Sequence, residues 1–240
     1  MQNRYAGDIG DFGKLGLLRA LSQSGLTLGV NWYLTPDEDN GDGRLIHYDD
    51  CRQCDEALWL ALSNITAPGH ERSVAALERA ELLPATHTRY FHQILDFSGL
   101  SWQERQSRRA AWHAEALAAL DGCEIVFADP DNGWIVPSAE RTRRSNKFVL
   151  PCELKDYYGQ RASVIYYQHQ ARRKDDFYIG QHRELLSSGG FDGATGFALK
   201  FTKTSLRYYF MIVQPRHRDM IASCVERMPD SPWKDLFKQV

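Results

Sequence analysis

The sequence predicts an α/β fold built on a mostly parallel sheet. Short apolar, β-former-rich runs at residues 28–34, 124–128 and 162–167 each stop in turn-forming or polar residues, as buried strands do. Segments of helical spacing separate these runs, the alternation that gives parallel strands with crossover helices. Near the end, two further strand-like runs at 196–202 and 205–214 are separated only by Lys203-Thr204. So short a connection demands an antiparallel hairpin.

Taken in order, residues 11–21 place Leu15, Leu17, Leu18 and Leu21 at near-helical spacing, with Asp11 as the expected N-cap. The first strand, 28–34, ends at Thr35-Pro36-Asp37, and an acidic, turn-rich loop follows to Gly43. Residues 45–48 read as a short second strand. From about 55 to 120 the pattern is mainly helical, carried by Ala57, Leu58, Leu60, Ala61, Leu62, Val74, Leu77 and Leu82. This helical region is expected to pack on the sheet or be inserted in it, and the aromatic stretch 88–96 suits an edge strand. Residues 110–120 form a helix leading into the strand at 124–128, and 153–158 form another before the strand ending at Gln168-His169. Pro215 closes the hairpin, and 218–228 has the spacing of a final helix. No repeat and no Pro/Gly/Ser-rich linker divides the chain, so residues 1–240 are expected to form one α/β domain with an antiparallel edge.

Composition narrows the function classes. A hydrophobic fraction of 43% and a charged fraction of 25% suit a globular protein, and no apolar run reaches bilayer length. The opening residues lack the apolar core of a secretory signal, so a cytoplasmic location is the default and no membrane partner is expected. Cys51 and Cys54, with His47 and His70, would allow a zinc site to be drawn, but a second close pair is missing and two unligated thiols are favoured. A net charge of -2 gives no global attraction to nucleic acid. The basic residues are nevertheless clustered, at Arg105, Arg108 and Arg109, at Arg141, Arg143, Arg144 and Lys147, and at Arg172, Arg173 and Lys174. The last two clusters follow predicted strand ends and would suit phosphate contacts, or simply a solvated face.

The most informative segment is Asp129-Pro130-Asp131-Asn132-Gly133, just beyond the strand at 124–128, because ligands of α/β sheets gather at the carboxyl ends of strands. His169 ends the neighbouring predicted strand, where it would serve as a general base, a metal ligand, a phosphate contact or a plain strand-end histidine. Asp129 and Asp131, with Asp37, Asp39 or Asp42 from the acidic loop, would offer oxygen ligands to Mg²⁺ or Mn²⁺. Pro130-Asp131 with Glu153-Leu154-Lys155 also fits a loose pattern of metal-dependent nucleases and phosphohydrolases. That pattern needs a strand at Glu153, where the spacing predicts a helix.

The element order outlines a class I methyltransferase, and the segment Tyr5-Ala6-Gly7-Asp8-Ile9-Gly10-Asp11-Phe12-Gly13-Lys14 resembles the N-terminal signature of the large-subunit rRNA adenine-N6 methyltransferases. Gly7, Asp11 and Lys14 match, while Asp8 stands where that family has Asn. Tyr33-Leu34-Thr35 is similar to the end of the family's first strand, and Asp129-Pro130 to the start of its Asp-Pro-Pro-Tyr motif. Tyr167 and the stretch from Tyr208 to Pro215 are similar to its later strands. The resemblance implies a Rossmann-like fold, S-adenosylmethionine as cofactor, and methyl transfer to a base amino group of a nucleic acid. It places Gly7, Asp8, Asp11, Lys14, Thr35 and Asp37 on the cofactor side, and Asp129, Pro130, Asp131, Asn132 and His169 at the reacting centre. The chain departs from the pattern in two places. The turn at 35–43 carries its glycines late, and Asp131 and Asn132 stand where the family has Pro and Tyr, so Trp134 would have to supply the stacking ring. The Gly-Asp-x-Gly-Asp-Phe-x-Lys opening and the Asp-Pro-Asp-Asn-Gly core are also similar to uncharacterised bacterial and prophage proteins. Three functions stay open at this point: a methyltransferase, a metal-dependent nuclease or phosphohydrolase, and a Rossmann-like protein that binds without catalysis.

Overall fold

The computed structural model describes residues 1–39, 41 and 43–240. Helix α1 spans Ile9–Ser22 and begins at Asp8, whose carboxylate accepts the N–H groups of Gly10 (2.7 Å) and Asp11 (3.1 Å). The cap is therefore Asp8 and not Asp11, which is buried in the first turn. Strand β1, Leu28–Asn31, is shorter than its apolar run. The Asn31 side chain accepts the Tyr33 N–H (3.0 Å), and Tyr33 sits at φ +45°, so the chain turns away although Trp32, Tyr33 and Leu34 stay buried.

Residues 45–48 form no strand. Both edges of β1 are already taken, one by β2 (Thr88–Phe91) and the other by β3 (Ile125–Ala128), each parallel to it. Between β1 and β3 the chain also forms α2 (Glu56–Ile65), α3 (Val74–Arg79) and α4 (Trp102–Ala119), so the helical region carries the expected edge strand within it. After β3, β4 (Gly133–Trp134) and β5 (Phe148–Val149) make a small parallel ribbon, and α5 (Pro151–Gly159) leads to β6 (Ser163–His169). Helix α6 (Asp175–Ser187), the hairpin β7 (Thr195–Phe201) and β8 (Arg207–Val213), helix α7 (Arg218–Arg227) and strand β9 (Phe237–Gln239) complete the chain.

The sheet order is β2-β1-β3-β6-β8-β7-β9, a mostly parallel α/β arrangement consistent with a Rossmann-like fold. The hairpin does not simply add an antiparallel edge. Its second strand, β8, slots between β6 and β7, antiparallel to both, and every one of its seven residues is buried. β9, which the sequence does not announce, forms the outer edge. Period-two alternation splits the core between the two faces. Ile125, Phe127, Ile165, Tyr209 and Met211 pack with α1, α2 and α7, whereas Val126, Ala128, Val164, Tyr166 and Phe210 pack with α4, α5 and α6.

Cys51 and Cys54 lie buried in a 3₁₀ turn, and burial pushes both thiols up to about 11. Among the described residues no three His, Cys, Asp or Glu side chains are grouped so as to hold a metal ion, Cys51 and Cys54 with His47 and His70 included. No helix among them is long and apolar enough to cross a membrane.

Candidate functional site

The carboxyl ends of β3 and β6 and the amino end of β8 meet at one edge of the sheet, as parallel and antiparallel pairing requires. The loop leaving β3 is held there by Gln168 of β6. Its amide nitrogen donates to the Asn132 carbonyl (3.1 Å) and its amide oxygen accepts the Trp134 N–H (2.9 Å). Gly133 makes this possible: it sits at φ +101°, and a Cβ there would lie 2.3 Å from the Gln168 amide oxygen. Above this loop opens a cleft of about 380 Å³, bordered by Asp8, Asp11 and Lys14 of the first helix, by Asp129, Pro130, Asp131 and Asn132, and by His169 and Arg207.

Eight of the eleven candidate cofactor-side and reacting-centre residues therefore share one cavity. Lys14 Nζ donates to Asp11 Oδ1 (2.7 Å) and Asp129 Oδ2 (2.5 Å) and lies 5.2 Å from the centre of the Trp32 ring. Burial alone would lower the Lys14 pKa, but the two carboxylates hold it well above the ordinary value. Asp129 moves up because burial outweighs the attraction of Lys14. Asp131 moves down: burial is overcome by the Met1 ammonium, 2.5 Å from Oδ1, by Gln2, and by Lys147 at 3.7 Å. Asp8 is pushed up to about 6, first by burial and then by Asp11. His169 is lowered by burial and by Arg207, which favours its neutral form, and its Nδ1 lies 3.5 Å from the Tyr167 hydroxyl.

The remaining cofactor-side residues are placed differently. Gly7, at φ +80°, donates its N–H to Asp11 (3.0 Å) and shapes the entry to α1. Thr35 is buried beneath Met1, whose carbonyl accepts the Thr35 N–H (2.9 Å). Asp37 is exposed and accepts the Arg4 N–H (3.3 Å). Residues 1 and 2 themselves fill the crevice between β1 and β3. The Met1 ammonium donates to the carbonyls of Tyr33 and Asp129, both at 3.1 Å, and Gln2 bridges Asp131 (2.9 Å) and the Glu38 N–H (3.0 Å).

The nuclease pattern does not come together. Glu153 begins a helix on the far face and is gripped by Arg109 through two bonds of 2.6 and 2.8 Å, with Tyr33 donating a third (3.1 Å). Lys155 reaches the Ser188 carbonyl instead (3.4 Å). Asp129 and Asp131 hold ammonium groups where a metal reading would put Mg²⁺ or Mn²⁺, Asp39 is exposed, and Asp42 lies outside the described residues. Trp134 lines a separate apolar groove with Phe97 and Trp102, so the aromatic lining of the cleft comes from Tyr5 and Tyr167. Lys147 is drawn into the site by Glu38 (2.7 Å) and Asp131, leaving Arg141, Arg143 and Arg144 exposed nearby and Arg172, Arg173 and Lys174 exposed on the loop after β6.

Arg207 and the clamping role of Gln168 are parts of this architecture that motif reading passes over. A clue for Arg207 is present: it is a lone cation opening the apolar run Tyr208 to Val213. Comparison with protein-family models gives no match, and comparison with curated proteins gives none either.

Proposed function

We propose that the protein binds a nucleotide of nucleic acid in the cleft at the end of β3, on a methyltransferase-like α/β frame. One observation carries this: Asn132 lines the cleft with a side-chain amide that has no partner among the described residues, beside Asp129, whose second carboxylate oxygen is likewise uncommitted. An amide presents a donor and an acceptor side by side, the pattern that reads a base edge, and the Asp129 carboxylate and Pro130 carbonyl can accept from a base amino group. The mostly parallel sheet, the reversed strand from a terminal hairpin, and Asp129-Pro130 at a strand end support the methyltransferase likeness.

S-adenosylmethionine does not fit the residues at its expected crevice. Met1 and Gln2 occupy the space between β1 and β3, Thr35 is tied to Met1, and Lys14 is committed to two carboxylates. We therefore read the function as binding, without methyl transfer. Exposed Arg141, Arg143, Arg144, Arg172, Arg173 and Lys174 would contact flanking phosphates, so affinity should fall steeply with salt. Fluorescence anisotropy of a labelled single-stranded oligonucleotide tests this, with saturable binding at low salt expected and its absence overturning the proposal.

A further inference from the structure

Among the described residues, every cation of the cleft except one has a carboxylate partner. Lys14 pairs with Asp11 and Asp129, Lys147 with Glu38 and Asp131, and the Met1 ammonium with Asp131. Arg207 is only 5% exposed, yet no carboxylate of the described residues lies within ion-pair distance of it. Its Nε and one terminal nitrogen are used by the carbonyl and hydroxyl of Ser205, and the group stacks over the Phe201 ring at 5.5 Å. The other terminal nitrogen, Nη1, has no protein partner among the described residues and borders the cleft.

The seat of this guanidinium is specific. It lies against the first turn of α1 at Gly10, where a Cβ would come within 2.1 Å of Nη1. A cation there faces the positive end of a 14-residue helix, which is unfavourable without a counter-charge. Asp8 and Asp11 act on Arg207 only at longer range. Ser205 offers only neutral acceptors to this buried charge, and an anion bound at Nη1 would add the ion pair that the described residues do not supply.

The position also has a definite relation to the base site. Arg207 opposes His169 across the β6–β8 pair, and β8 lies two strands from β3. Two strand spacings are about 10 Å, comparable to the reach of one nucleotide from base edge to phosphate. We infer that Arg207 is a phosphate-binding residue that takes a phosphodiester of the nucleotide whose base meets Asp129 and Asn132. This rests on the nucleotide-binding function proposed above. The carboxylate of Asp8 nearby disfavours a doubly charged ligand, which makes the singly charged phosphodiester the better match.

The test compares a dinucleoside monophosphate with its uncharged methylphosphonate analogue, titrated into the full chain and followed by NMR shifts. Wild type is expected to prefer the phosphodiester at least tenfold. Arg207→Gln should abolish the preference while leaving binding of the uncharged analogue within twofold, and Arg207→Lys should keep part of it. If Arg207→Gln does not fold, Gly10→Ala serves instead, because it displaces the guanidinium without removing its charge, and the same loss of preference is expected. Equal affinity of wild type for both ligands overturns the role of Arg207 and leaves the base site standing. Binding of neither ligand overturns both.

Discussion

The Nζ of Lys14 lies 2.5 Å from Asp129 Oδ2 and 2.7 Å from Asp11 Oδ1, so one ammonium group ties the first helix to the turn after the central strand. All three side chains are almost fully buried. Removing the cation strands two carboxylates in a low-dielectric site. Lys14→Met should therefore cost about 3–5 kcal/mol, measured by urea unfolding. Asp129→Asn should cost less, because Lys14 retains Asp11, and the double variant should recover part of the Lys14→Met loss. Strict additivity of the two changes would mean that the pair does not interact.

Asp8 gives a pH signature. Its pKa is raised from 3.8 to about 6 in the folded protein, so the fold prefers the protonated acid. Its contribution to stability is fully present below the unfolded value, declines as pH rises from about 4 to 6, and stays low above that. Asn caps a helix about as well as Asp and carries no charge. Asp8→Asn should accordingly match wild type near pH 3.5 and exceed it by ~1–2 kcal/mol at pH 7, after allowance for partial solvent screening. Denaturant midpoints across this range check the claim, and a gain at low pH that vanishes at pH 7 would reverse the sign.

Gly133 and Gln168 form a backbone clamp on the cleft loop. Gly133→Ala must hold a side chain at positive φ and push it into the Gln168 amide. A loss of about 1–3 kcal/mol is expected, together with weaker ligand binding as Asn132 shifts. Gln168→Ala in the same chain should relieve the clash with the amide but neither the 2.8 Å approach to the Gln168 Cα nor the backbone strain, so thermal melting of the double variant should show at most a small recovery.

The thiols offer a solution check on burial. Burial raises the pKa of all five thiols, but Cys51, Cys54, Cys123 and Cys224 are also shut off from solvent, whereas Cys152 is exposed. Because exchange needs access to the thiol as well as its ionisation, a chromogenic disulfide reagent at pH 8 should find one fast thiol in the native protein and five after denaturation. Loss of the fast phase in Cys152→Ser assigns it.

Much of the fold is legible because buried strands are continuous apolar runs and helices repeat on one face. The strands at 125–128 and 163–169 lie close to their apolar runs, as does α7. What the sequence hides is nonlocal. The interior place of β8 depends on which edge of β6 is free, and the early end of β1 depends on Asn31 folding back onto Tyr33. At the site, Asp8, Asp11, Lys14, Asp129 and His169 converge as their strand-end and helix-start positions suggest. Thr35 and Asp37 do not join them, because no local pattern reveals that residues 1 and 2 pack into the crevice those side chains would border.

Base recognition by Asn132 without a bound methyl donor is measured by calorimetric titration of a single-stranded oligonucleotide into wild type and Asn132→Ala at low salt, with S-adenosylmethionine titrated in parallel. Saturable oligonucleotide binding, weakened at least tenfold in Asn132→Ala and unaccompanied by any S-adenosylmethionine binding, is the expected result. Stoichiometric S-adenosylmethionine binding, or oligonucleotide affinity unchanged by Asn132→Ala, would contradict it.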